Sequence, residues 1–325
     1  MKAVIYERYG SPDVLRLTEI AQPVPGPGQV RVQIRAAGVN AADWHLLRAD
    51  PFLARLDAGL FKPKRPVLGA DIAGVVDTVG EGVTRFKPGD AVYGDLAGCG
   101  FGGFAEYAAV PESVLSPMPS NLAFSEAAAI PMAAVTALQA LRDKGGVGPG
   151  KHVLINGASG GVGTFALQIA KVLCAEVTAV CSTSKLEQAR ALGADHVVDY
   201  TREDFTRTGQ TYDVIIAANG NRSLGDYKRA LALGGVYVMV GGSTSQIMQA
   251  VIFGSLRSGG GKKLTNLMAK PNAADLAIIT GWIEAGHVKP IMDRTYPFEQ
   301  TADAIRYVEE GHARGKVVVT LGAAS

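Results

Sequence analysis

Three apolar rhythms follow one another along this chain. Over the first hundred residues the apolar positions alternate or cluster in short β-branched runs: MKAVIYERY (Met1–Tyr9), VRVQIRAAGV (Val30–Val39) and AGVVDTVG (Ala73–Gly80). These runs are broken by PVPGPG at Pro23–Gly28 and by KPGD at Lys87–Asp90. Such alternation with Pro and Gly punctuation predicts short strands of an all-β or barrel-like unit. Near Ser120 the pattern changes, and residues 121–143 are Ala- and Leu-rich and helix-prone, interrupted by Pro131. Apolar runs then alternate with helical patterns. Strands are predicted at His152–Asn156, Glu176–Cys181, His196–Tyr200, Asp213–Ala218 and Val236–Gly241, and helices at Gly161–Leu173, Ser184–Leu192 and Ser223–Leu233. That alternation argues βαβ crossovers and a parallel sheet buried on both faces. After Pro271 a helix (Ala273–Ala285), a strand near Ile291–Tyr296, a helix (Glu299–Glu310) and a last strand (Lys316–Leu321) do not obviously extend that sheet.

Composition narrows the picture. The 325 residues carry 32 Lys+Arg against 30 Asp+Glu, a net +2, which gives no electrostatic reason to expect a nucleic acid or an acidic membrane as partner. An apolar fraction of 47% excludes a disordered chain, and 40 glycines without a G-X-Y period exclude collagen. Cys99, Cys174 and Cys181 lack metal-ligand spacing and are too few for a disulfide framework, so a reducing compartment, the cytoplasm, is expected. The start, MKAVIYERYG, has no apolar signal core. The uncharged stretch between Lys151 and Lys171 has the length of a membrane span, but its Asn156, Ser159 and glycines read as strand, turn and helix.

That stretch holds the strongest local signal. A β-branched strand runs into Ala158, Ser159, Gly160, Gly161, Val162 and Gly163 and then into a helix. This is the dinucleotide turn with Ala in the first glycine slot. Gly160 lets backbone approach a pyrophosphate, Gly163 lets helix and strand pack closely, and the helix N-terminus offers free N–H groups to phosphate. An NAD site normally places Asp or Glu at the end of the second strand to bond the ribose 2′-OH. Here stand Cys181, Ser182, Thr183, Ser184 and Lys185, with Arg190 further along the helix. No carboxylate would repel a 2′-phosphate, hydroxyls can donate to it, and Lys185 adds charge. Tyr200 can flank the adenine. The expected cofactor is NADPH.

Gly150-Lys151, Leu154, Ala158-Ser159-Gly160-Gly161-x-Gly163, Gln168 and Lys171 resemble the quinone oxidoreductase (zeta-crystallin) signature of the medium-chain dehydrogenase/reductase superfamily. The resemblance extends to Gly38-Val39-Asn40 with Asp43 and Arg48, to PVLGADIAG at Pro66–Gly74, to Gly103–Tyr107, to Thr136-Ala137, to Gly234-Gly235 and to the closing His312–Val317. It implies an α/β fold: a Rossmann doubly wound parallel sheet (121–270) inserted in a GroES-like β-rich catalytic domain made of 1–120 and a returning C-terminal segment, 271–325. It also implies a nicotinamide held between the domains and a homodimer or homotetramer joined through a sheet edge near Val236–Phe253.

Zinc-dependent members of that superfamily use Cys and His among their catalytic ligands. Their first Cys corresponds to Asn40 and their His to Ala70, so no metal is expected. Without a Lewis acid, deprotonating an alcohol is hard, whereas a quinone or α,β-unsaturated carbonyl needs only hydride and a later proton. The resemblance places Thr136, Val240, Gly241, Gly242 and Ser243 around the nicotinamide and its ribose, with Asn219 in the turn after the fourth strand. Lys316 is expected to reach the cofactor. On the substrate side, Asn40 would orient a carbonyl oxygen through an N–H. His45 would donate to the developing oxyanion, against a reading as an ordinary loop or helix histidine. Trp44 and Phe52 offer an aromatic wall or simple core packing. Arg257, Lys262 and Lys263, around Gly259–Gly261, read as a sheet edge rather than a lid. The rival class is a non-catalytic NADPH-binding sensor or nucleic-acid-binding protein, and a third reading is a zinc alcohol dehydrogenase.

Overall fold

The alternating runs of the first hundred residues form strands in the computed structural model, which describes residues 1–52, 55–242, 249, 258–311 and 313–322. Ser243, Arg257, His312 and most of the expected sheet-edge segment beyond residue 242 lie outside the described residues. β1 (Lys2–Ile5) and β2 (Arg16–Glu19) make an antiparallel pair. β3 (Gln29–Val39), β4 (Asp71–Val79), β5 (Ala91–Asp95), β6 (Tyr107–Pro111) and β7 (Leu115–Pro117) follow. The middle of the chain gives β8 (His152–Asn156), β9 (Glu176–Cys181), β10 (His196–Asp199), β11 (Tyr212–Ala217), β12 (Leu231–Met239) and β13 (Lys263–Asn266). The tail gives β14 (Met292–Pro297) and β15 (Lys316–Thr320).

Two main sheets result. One runs β10-β9-β8-β11-β12-β13, all parallel, which is the doubly wound order with the crossover point at β8 and β11. Its inner strands are apolar on both faces, as the continuous runs required. The other runs β14-β15-β3-β4-β5-β7, with β6 also on β3. The tail thus fails to extend the parallel sheet because β15 pairs antiparallel with β3.

The chain divides into two compact units, Met1–Met132 with Lys270–Gly286 and Pro290–Ser325, and Ala133–Ala269 with His287–Lys289. The first division falls later than residue 120. Residues 124–127 form a helix against β3 and β4, so close that a Cβ on Gly38 would lie 2.3 Å from the Ala128 carbonyl oxygen. His287–Lys289 joins the second unit because Gln168 and Lys289 bond reciprocally, side-chain amide to backbone, at 3.0 Å each way. One local expectation shifts and one is met. The helix expected to Leu233 ends at Ala230, where Leu231 turns extended and starts β12. The segment around Lys263 contains a strand, β13, at the edge of the sheet.

Candidate functional site

In the second unit the turn after β8 is shaped by three glycines at a spacing of three. Gly157 takes φ +86°, which only glycine adopts without strain. Its N–H and that of Ala158 both donate to the Val180 carbonyl at 3.1 Å, which pins the turn to β9. A Cβ on Gly163 would sit 2.0 Å from the Gly157 carbonyl oxygen, so helix Gly161–Val172 can approach the turn only with glycine there. At Gly160, by contrast, the nearest atom to an added Cβ is 3.6 Å away, so that position faces space rather than protein. The first intrahelical bond runs from Thr164 N to Gly160 O, which leaves the N–H groups of Gly161, Val162 and Gly163 without an intrahelical acceptor. Together with the helix dipole they form a ready phosphate cradle. Ala158 and Ser159 are buried beneath it.

Two neighbouring turns complete this edge. The Asn219 Cβ lies 2.8 Å from where a Gly157 Cβ would be, and Asn219 N donates to Asn156 O. Val240 and Gly241 both donate to Ala217 O, while Gly220 N donates to Gly241 O and Gly220 bridges Gly242. The carboxyl ends of β8, β11 and β12 are thus tied together where open parallel sheets bind ligands. Thr136 is buried on helix Pro131–Gln139.

At the end of β9 the structure corrects one expectation. The Thr183 hydroxyl donates to Asp199, whose carboxylate also accepts from Thr201 N at 3.0 Å and Thr201 Oγ1 at 2.7 Å. Those hydroxyl bonds hold the Asp199 carboxyl below its usual range. Thr183 has therefore committed its proton, and a carboxylate does stand beside the end of β9, on β10. Ser182 precedes and Lys185 ends the short helix Thr183–Lys185 at this turn. Tyr200, exposed, donates its N–H to Cys181 O, which puts it at the same edge.

The first unit gathers a different site. Val39 pairs with Val317 and Asp71 pairs with both Gly38 and Asp95, a register that brings the ends of β3, β15, β4 and β5 together. Lys316, 3% exposed, directs Nζ to Asn40 Oδ1 at 2.5 Å and to Asp71 Oδ2 at 3.4 Å. Asn40 Nδ2 donates to Asp71 Oδ2 at 3.0 Å and only weakly, at 3.5 Å, to Gly38 O. Asp71 Oδ1 accepts from Met132 N at 2.7 Å at the start of helix Pro131–Gln139. Asp43 accepts from Asn40 N and Gly69 N. Burial raises the Asp43 carboxyl to about 7 against those two N–H bonds. Burial, reinforced by Asp71, does the same to Asp95, also to about 7. Burial raises Asp71 too, opposed by the Lys316 ammonium. Lys316 is therefore the paired cation of a buried acidic cluster. Ala70 is fully buried beside Asp71.

His45 lies on helix Ala41–Arg48 with Asn40, stacked on Trp44 at a centroid distance of 3.5 Å. Its Nδ1 is 2.7 Å from Asp50 O. A carbonyl only accepts, so Nδ1 carries the proton, and Nε2 of the neutral ring is an acceptor. His45 can donate from Nε2 only as the imidazolium. Trp44 packs against the core, whereas Phe52 is exposed.

Comparison with known proteins agrees with this geometry. Residues 26–120 match the alcohol dehydrogenase GroES-like domain family and residues 192–319 the zinc-binding dehydrogenase family. A 2-methylene-furan-3-one reductase of Solanum lycopersicum is 38% identical over 98% of this chain and 79% of its own. An NADPH-dependent alkenal/one oxidoreductase of Arabidopsis thaliana is 35% identical over the same shares, 98% and 79%. Among solved structures, the quinone oxidoreductase from Coxiella burnetii superposes with a TM-score of 0.86 at 27% identity over 99% of each chain. An NAD-dependent alcohol dehydrogenase superposes at 0.84 with 34% identity over 99% of this chain and all (100%) of that one. The chain belongs to the quinone oxidoreductase group of the medium-chain dehydrogenase/reductase superfamily. Within this oxidoreductase, sequence reasoning missed Gly157, Asp95 and Asp199. Only Gly157 carried a visible signal, the threefold spacing Gly157, Gly160, Gly163.

Proposed function

We propose that this oxidoreductase is zinc-independent and delivers hydride from NADPH to a quinone or an α,β-unsaturated carbonyl. The observation that carries the reading is the state of the zinc-ligand positions. Ala70 has no donor atom, and Asn40 Oδ1 already accepts from the Lys316 ammonium at 2.5 Å. A dication held at Asn40 or Asp71 would face that buried positive charge. The residues present do not fit zinc, whatever the name of the matched family.

They do fit the nucleotide. The open face at Gly160 and the free N–H groups of Gly161, Val162 and Gly163 suit a pyrophosphate. When bound, NADPH supplies a hydride to a soft electrophilic carbon. In this reading Ser182 and Lys185 hold the 2′-phosphate, Tyr200 flanks the adenine, and Thr136, Asn219 and Val240–Gly242 position the nicotinamide ribose. Asn40 is held in one amide orientation by Asp71 and Lys316, and its weakly bonded second N–H orients the acceptor oxygen. His45 supplies the proton that the reduced oxygen needs. The names of the plant relatives, a furanone reductase and an alkenal/one oxidoreductase, support an activated C=C bond among the acceptors. Self-association is assigned to the sheet edge at β13, where Leu233 and Met268 are both exposed. Three free cysteines suit a reducing compartment.

The test is to mix the protein with NADPH and a naphthoquinone and follow the nicotinamide absorbance. Oxidation of NADPH is expected. Tight NADPH binding without oxidation across quinones and enones would favour the non-catalytic rival.

A further inference from the structure

At the opposite end of the parallel sheet, three adjacent strands begin with potential metal ligands. His152 opens β8, Glu176 opens β9 and His196 opens β10, and these are neighbours in the order β10-β9-β8. The register puts all three on one face. His152 pairs with Glu176, and His196 pairs with Thr178, two residues beyond Glu176 and so on the same side of the pleat. Both imidazoles aim Nε2 at a single carboxylate oxygen, Glu176 Oε1, at 2.7 Å each. The approach from His152 is off the line a hydrogen bond needs, which leaves that buried nitrogen without a hydrogen-bond partner. The ligand atoms lie within 4.8 Å of one another.

We propose that His152, Glu176 and His196 form a surface site for a divalent transition metal, Zn²⁺, distinct from the cofactor turn. Two imidazoles and one carboxylate with an open fourth position are an established zinc donor set. Around a tetrahedral ion at bond lengths near 2 Å the ligand atoms stand about 3.3 Å apart, so N and O must separate by about 0.6 Å from their present spacing. The half-exposed side chains of Glu176 and His196 can make that adjustment. The competing carboxylates are already engaged, Asp195 by Lys171 and Asp213 by Lys151 and His152 N. The turn at Gly157 lies past the other end of β8, about 16 Å away at strand rise. The ion would tie β10, an edge strand, to the interior of the sheet.

The experiment uses the full chain, stripped with a chelator and titrated with Zn²⁺ against a chromophoric competitor. One zinc per chain with a dissociation constant on the order of micromolar is expected, weakened at least about tenfold in His196→Ala and in Glu176→Gln. Amide exchange in β10 should slow on zinc addition in the wild type only. Both substitutions fall on half-exposed side chains, and NADPH binding, measured alongside, should be unchanged and so report that the variants fold. Zinc uptake that survives His196→Ala, uptake lost instead on alkylation of exposed Cys99 and Cys174, or no uptake tighter than about millimolar would overturn the proposal.

Discussion

The turn at Gly157–Gly163 relies on backbone and on the absence of side chains. The cluster at Lys316 relies on side chains buried together from three strands and from helix Ala41–Arg48 with its cap. At the turn, what matters is that a Cβ on Gly163 would meet carbonyl oxygen at 2.0 Å while one on Gly160 would meet nothing closer than 3.6 Å. At the cluster, one ammonium answers Asp71 directly and Asp43 and Asp95 at longer range, and the amide of Asn40 is locked between cation and carboxylate. The first kind of site is a local property of a short peptide. The second exists only once β15 has returned to β3.

The largest effect is expected from breaking the second. Lys316→Met leaves buried carboxylates without their cation and should cost about 3–5 kcal/mol in urea unfolding at pH above neutrality. The cost should shrink in mild acid as the carboxyls protonate. A loss below about 1 kcal/mol would mean the pair is no better than a surface one. Next comes the turn. Gly163→Ala should lose about 2–3 kcal/mol through the clash with Gly157 O. Gly160→Ala should lose no more than about 1 kcal/mol yet weaken NADPH binding at least about tenfold, because its methyl enters the phosphate space. Equal effects of the two on stability would erase the distinction.

The cluster also sets a pH dependence. Asp43 and Asp95 are raised to about 7, above the unfolded value of about 3.9. The folded state therefore binds more protons between those values, and stability present in mild acid is lost as pH rises through about 7. Urea midpoints measured across that window should fall with pH, and Asp95→Asn should flatten the fall. A rise with pH would contradict the burial of these groups. The smallest change is at the cofactor's far end. Lys185→Ala should raise the NADPH dissociation constant about tenfold, one charge-assisted contact, and leave NADH unchanged. An equal effect on both would remove Lys185 from the 2′-phosphate.

The same contrast explains how much was legible in the sequence. The strand, the Gly160 and Gly163 positions and the alternation that follows carry their physics within short windows, so β8 to β12 and their helices were readable to within a few residues. β13 was legible only as a sheet edge, because Lys263–Asn266 is a short strand after three glycines and a lysine. Asn40 and Ala70 stood out through resemblance. Nothing near residue 316 announces that Lys316 is buried, since its partners Asn40 and Asp71 are more than two hundred residues away in the chain. Thr183 and Asp199 likewise meet only across the pairing of β9 with β10. Candidate chemistry that depends on side-chain types was visible; commitment of those side chains to one another was not.

The most direct test of the central claim is NADPH oxidation with a quinone or enone acceptor in protein stripped by a chelator, run in wild type and in His196→Ala. Turnover unchanged by stripping in both is the expected result, whether or not the surface histidines bind metal. Activity that disappears on stripping and returns with zinc in both proteins would contradict it.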